Sequence, residues 1–169
     1  HWDQLGWHYT RQVTATDARN HFTKTTNHRM LVILASLALA GLAIATYFTA
    51  IALRWITPDA RWIPTFCQMD NTTCASIIFT PSARVFGPPN SLLGQIYYVT
   101  LLVAIGLDWL MDVRVWRVFV ATSLVTIGLA VYLSYTLLVT LKVPCPLCFT
   151  SHGINTVIFG LLLLNSPTS

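Results

Sequence analysis

Four cysteines, Cys67, Cys74, Cys145 and Cys148, hold the redox chemistry available to this sequence. The last two lie in Val143-Pro144-Cys145-Pro146-Leu147-Cys148, at the opening of an apolar segment. A Cys-x-x-Cys pair can close into a disulfide across the first turn of a helix. At a helix N-terminus the unpaired backbone N–H groups and the helix dipole favour thiolate over thiol, the form that attacks disulfides and acceptors. Cys67 and Cys74 sit far upstream in a polar stretch. One dithiol in a loop and another at a membrane helix suggest an electron relay. Two plainer readings stay open at this point: a pair of permanent structural disulfides, or a zinc site with all four cysteines as ligands. The loose Cys67–Cys74 spacing and the position of one pair where lipid begins count against zinc, so no metal is expected.

The residues around these cysteines define the solvent. Apolar types make up 54% of the 169 positions and charged types only 9%, against roughly 25% charged in soluble domains. A chain this short cannot bury that much apolar surface inside itself, so lipid must cover it. The net charge of +4 comes from ten Lys/Arg against six Asp and no Glu. It forms no nucleic-acid-binding face and reads as loop charge that orients the chain in a bilayer.

The elements that must position the cysteines follow from the apolar runs. Residues 1–29 are polar, without a useful apolar period, and read as a cytoplasmic N-terminal segment. Runs at about 30–53, 92–110, 118–141 and 145–164 each approach the roughly 20 residues that cross a bilayer as a helix. Residues 165–169 form a tail. The fold class predicted is therefore all-α and integral to the membrane, a four-transmembrane-helix bundle. Its long loop, residues 54–91, is rich in Pro and turn formers, and Cys74–Phe79 is expected as a short half-helix ending before Pro81. Trp55 and Trp62 fit an aromatic belt. Gly94, Gly106, Gly128, Gly153 and Gly160 read as sites of close helix packing.

Four spans put both termini on one side, with Arg11, Arg19, Lys24, Arg29, Arg114 and Arg117. The positive-inside tendency makes that side cytoplasmic. All four cysteines then face the exoplasmic, oxidising side, where disulfide chemistry belongs. The membrane-soluble two-electron acceptor suited to such a dithiol is a quinone, held in an apolar pocket with a few polar groups at its carbonyls. Asn90 and His152 are candidates for those groups. His152 lies one helical turn after Cys148, on the same face. Taken alone, Asn90 reads as a turn residue after Pro88-Pro89, and His152 equally well as a histidine bonded within the bundle. Asn71-Thr72-Thr73 is a glycosylation sequon whose short pattern carries little weight.

The order of motifs is more specific than any one of them. Cys67…Cys74, Thr80-Pro81-Ser82-Ala83, Phe86-Gly87-Pro88-Pro89-Asn90-Ser91-Leu92-Leu93-Gly94 and Cys145-Pro146-Leu147-Cys148 resemble the vitamin K epoxide reductase family over roughly residues 30–164. The DsbB type of quinone-linked disulfide generator also has four spans and two pairs, but there the Cys-x-x-Cys comes first. Here it comes last.

The resemblance implies a thiol:quinone oxidoreductase that supports disulfide formation or, in an animal-type setting, reduces vitamin K quinone and epoxide. It implies that Cys145 and Cys148 are the active-site pair with Cys148 nearest the quinone. Cys74 would exchange with Cys145, and Cys67 would take the mixed disulfide with a partner. Asn90 would bond a quinone oxygen, and Thr80 stands where the family usually has Ser. His152 stands where animal members have a Tyr whose phenol bonds the second oxygen, and an imidazole there makes tautomer and charge matter. The co-substrate implied is a menaquinone, ubiquinone or phylloquinone. The partner implied is a thioredoxin-like protein on the exoplasmic side, expected as a separate protein or as a part lying outside this sequence, which stops at Ser169. A prokaryotic inner or plasma membrane is favoured over the endoplasmic reticulum.

Overall fold

A computed structural model describes residues 3–56, 78–142 and 145–165, with side chains from residue 28 onward within those stretches. Helix α1 spans Asp3–Ala52, α2 Asn90–Gly106, α3 Val113–Tyr135 and α4 Pro146–Leu164. Short 3-10 turns occupy Pro81–Arg84 and Trp109–Met111, and a π-helical stretch, Thr136–Leu141, continues α3. The chain divides into two units, His1–Leu34 and Ala35–Ser169. In the first, the backbone is helical from Asp3, although the sequence there has no apolar period. Once an apolar segment has nucleated a helix, each further residue needs only one more hydrogen bond to join it.

Among the described residues, three helices are long and apolar enough to cross a membrane: His28–Ala52, Val113–Leu141 including the π-helical stretch, and Pro146–Leu164. Asn90–Gly106 is apolar but shorter. Its 17 residues rise about 26 Å, somewhat less than the ~30 Å hydrocarbon core of a bilayer. Large apolar side chains point outward from these helices, among them Leu39, Val103, Leu124, Val131 and Leu138. An outer surface of that kind suits lipid rather than water.

The helix ends differ from the apolar runs for local reasons. Helix α2 starts at Asn90 rather than 92, on a Pro89 N-cap whose fixed φ of −55° prepares the first turn. It stops at Gly106 rather than near 110, because Asp108 adopts φ 56° and Trp109–Met111 winds as a 3-10 turn. Helix α3 begins at Val113 instead of 118, since the Asp112 carboxylate accepts the Arg114 N–H at 2.7 Å. Arg114 and Arg117 therefore ride on the helix, although the apolar run begins only after them. Left-handed residues also end α1 (Arg54, φ 60°) and the π-helical stretch (Lys142, φ 54°). In the loop, Gly87 takes φ +91°, in a turn that needs a glycine. Of the expected half-helix, residues 74–77 lie outside the described residues; Ile78 and Phe79 form a turn, and the short helix seen is Pro81–Arg84. Trp62 and Asn71 also lie outside the described residues.

In the unit Ala35–Ser169, α3 and α4 pack most extensively against each other, while side-chain hydrogen bonds tie α2 to all three other helices. Its Gln95 donates to Thr46 (2.9 Å) and its Ser91 accepts from Thr49 (3.0 Å), both on α1. Tyr97 pairs with Ser123 of α3 at 2.7 Å, and Tyr98 donates to Asn155 of α4 at 2.7 Å. Inter-helix bonds in membranes contribute about 0.6 kcal/mol each, and they fix which faces meet. The glycine expectation fails for four of its five positions. Among the described residues, space is open where a Cβ would stand at Gly106, Gly128, Gly153 and Gly160, and of the five only Gly94 has neighbours there, Ala45 and Tyr98. The close approach is at Gly41 on α1 instead, where a Cβ would fall on the Tyr98 ring. The small residue serves a phenol from α2, which a helix-packing pattern read from single runs does not show.

Candidate active site

Helix α4 opens on the cysteine motif. Cys145 is its N-cap and Pro146 its first residue, so proline sits where its missing N–H costs nothing. The Cys145 Sγ accepts the Cys148 backbone N–H at 3.3 Å. A thiol here does what a serine hydroxyl does at other helix starts. The donated N–H and the helix dipole are contacts that stabilise negative charge on sulfur. The sequence expectation of a Cys-x-x-Cys at a helix N-terminus holds.

The two sulfur residues have different surroundings. Cys145 is fully buried, packed with Phe48 and Ile51 of α1, Ile78 of the loop and Leu137 of the π-helical stretch. Cys148, a half-buried free thiol, lies on the wall of a cavity of about 580 Å³. That volume falls in the range of small-molecule sites. The remaining wall is mostly apolar, with side chains such as Phe48, Leu93, Phe119 and Leu133. It draws on all four helices and on the loop through Ala83 and Phe86.

The polar groups on the wall cluster by element. Along α4, Cys148, Ser151, His152 and Asn155 all line the cavity, at the three- and four-residue intervals that put side chains on one helix face. The His152 Nε2 is buried and has no hydrogen-bond partner among the described residues. A buried polar atom left unpaired is costly, and here it belongs to a residue on the cavity wall. Asn90 lines the same cavity from the first turn of α2. Its Nδ2 donates to the Ser82 carbonyl at 3.0 Å, and its Oδ1 accepts the Val85 N–H at 3.3 Å. The side chain thus ties the loop to α2, as a turn residue would. An amide carries two N–H donors, so one remains for the cavity.

The structure therefore brings Cys148, His152 and Asn90 to one cavity, with Cys145 packed behind. Thr80 precedes the 3-10 turn, half-buried, and is not among the cavity-lining residues. Cys67 and Cys74 lie outside the described residues. Sequence reasoning missed Tyr97, Tyr98, Ser151 and Asn155, which all line the cavity. Two signals were present. A tyrosine inside an apolar run needs a partner for its hydroxyl, and Asn155 stands seven residues after Cys148, back on the same face. Among the described residues no group of three or more His, Cys, Asp or Glu is placed to hold a metal ion.

Comparison with known families places the chain. The model of the vitamin K epoxide reductase family matches residues 32–163, and the chain belongs to that family. A search of curated proteins finds no match. Membership and the apolar helices together make it an integral multi-pass membrane protein and an oxidoreductase of the vitamin K epoxide reductase type.

Proposed function

We propose that the protein is a membrane thiol:quinone oxidoreductase. It spans the membrane four times, the shorter α2 being the second crossing, with termini cytoplasmic and cysteines exoplasmic. Electrons pass from a thioredoxin-like partner to Cys67/Cys74, then to Cys145/Cys148, then to a quinone in the cavity. The observation that carries this reading is the shared wall of Cys148, His152 and Asn90 around one apolar cavity. A flat quinone ring fits an enclosure of that size and lining, with the free N–H of Asn90 and the unpaired imidazole nitrogen of His152 as partners for its two oxygens.

In the last step the Cys145 and Cys148 thiols give up two electrons and two protons. A disulfide forms between them and the quinone leaves as hydroquinone. The arrangement suits this division of labour. Cys148 faces the acceptor, and Cys145 sits where the loop arrives. Ile78 packs in the same cluster as Cys145, and Cys74 stands only four positions before it, a reach of at most about 14 Å. Thr80, two residues beyond Ile78, is proposed as a polar neighbour of the site rather than a direct ligand. Net flow toward quinone, in support of disulfide formation in a prokaryotic membrane, is the direction proposed.

The test is dithiol-dependent reduction of a short-chain menaquinone or ubiquinone by the purified protein in detergent. Turnover by the wild type, its loss in Cys148→Ser, and trapping of a Cys74–Cys145 linkage in that variant support the reading. Permanent Cys67–Cys74 and Cys145–Cys148 bonds that no dithiol reduces, with no quinone consumed, overturn it.

A further inference from the structure

We infer that Tyr98 is a positioning residue for the redox face of α4. This rests on the quinone-reductase reading for its catalytic consequence, but the geometry is independent of it. Tyr98 is among the most deeply buried side chains of the protein, at 1% exposure. Its ring lies in the gap that Gly41 leaves on α1. Its hydroxyl donates to Asn155 Oδ1 at 2.7 Å, and the Ser151 side chain reaches the same phenol. One side chain of α2 therefore contacts α1 and α4 together.

The consequence comes from helix geometry. Asn155 is seven residues after Cys148, which at about 100° per residue returns it to within roughly 20° of the same direction, about 10 Å along the axis. Ser151 and His152 fall on the face between them. Fixing Asn155 against Tyr98 therefore fixes the rotation of α4, and with it the aim of Cys148 and His152 into the cavity. Among the described residues, the other side-chain bonds from α2 to neighbouring helices run to α1 and α3. The phenol also lines the cavity, so the group that sets the rotation touches the space where the acceptor would lie. Gly41 completes the device, because any larger residue pushes the ring off Asn155.

The test reads the aim of Cys148 without requiring quinone turnover. In a full-length chain with Cys67, Cys74 and Cys145 changed to Ser, Cys148 is the single thiol, and serine preserves the N-cap. Its rate of alkylation by N-cyclohexylmaleimide, an apolar reagent that partitions into the cavity, is measured in detergent. Tyr98→Phe keeps the ring but loses the bond, Asn155→Leu removes the acceptor, and Gly41→Ala displaces the ring. Each is expected to change the alkylation rate at least threefold in the same direction. The double variant Tyr98→Phe/Asn155→Leu is expected to go no further than either single one. Ser123→Ala, which breaks the Tyr97 bond to α3, serves as the control and leaves the rate unchanged. In the four-cysteine protein, Tyr98→Phe lowers kcat for quinone at least fivefold with KM for the dithiol unaltered. Wild-type alkylation in both Tyr98→Phe and Gly41→Ala, or a change matched by Ser123→Ala, overturns the inference. A wild type that alkylates as expected but reduces no quinone refutes the proposed function and leaves the positioning role standing.

Discussion

Replacing Asn90 with alanine separates its two roles by magnitude. The side chain holds the loop through two hydrogen bonds, to the Ser82 carbonyl at 3.0 Å and from the Val85 N–H at 3.3 Å. A half-buried bond of the first length contributes about 1 kcal/mol, and the longer, exposed one about 0.5 kcal/mol. Losing both costs about 1.5 kcal/mol, close to a tenfold rise in the opening of the 82–89 segment. The assay is native-state amide exchange at Val85, in detergent micelles or nanodiscs. Val85 should exchange about tenfold faster in Asn90→Ala, while amides in the middle of α2 keep their protection. Asn90→Asp retains an acceptor for the Val85 N–H but loses the donor to the Ser82 carbonyl, so that amide should exchange about fivefold faster than wild type, between the wild type and Asn90→Ala. Quinone turnover should fall in Asn90→Ala by more than loop opening alone explains, because the amide that faces the cavity is gone. Val85 exchange at the wild-type rate in Asn90→Ala would refute the reasoning, since the loop would then be held by something other than this side chain.

Further expectations follow from single contacts. His152→Phe removes a buried nitrogen that has no partner, so thermal stability should hold or rise by about 1 kcal/mol while quinone reduction falls; loss of both stability and activity would make the histidine structural. Leu137→Ala empties space beside Cys145 and Phe48 and should cost about 3 kcal/mol, read as a lowered melting temperature. Tyr97→Phe leaves the fully buried Ser123 hydroxyl without its partner and should destabilise by about 1 kcal/mol, with the Tyr97→Phe/Ser123→Ala pair costing less than the sum of the single changes. Asp112→Ala removes the cap of α3 and should cost about 1 kcal/mol, with no change in quinone KM.

What the sequence made legible was set by length scale. Apolar runs about a bilayer long announce helices, and the Cys145–Cys148 spacing announces a pair at a helix start, because both signals are local. The Asp112 cap was equally local, yet the apolar run starts only at about 118, whereas the helix begins at Val113. The Gly41–Tyr98–Asn155 contact was not legible. It joins three helices, and each residue has an ordinary reading in its own run: a small residue, an aromatic and a polar one. The cavity shares that property, since its walls come from four helices and a loop that no sequence period links. Motif order linked Asn90 to the cysteines without any contact being known, and the structure gives it a physical place at the mouth of α2.

The central claim is that Cys148 delivers the electrons of the Cys145/Cys148 pair to a quinone. Single turnover tests it most directly. Fully reduced protein, freed of excess dithiol and kept anaerobic, is mixed with one equivalent of a short-chain menaquinone, and the quinone absorbance is followed while the thiols are trapped for mass spectrometry. The account predicts stoichiometric hydroquinone and a new disulfide within Cys145–Cys148, both absent in Cys148→Ser. Quinone left oxidised over a protein whose thiols all remain reduced would contradict it.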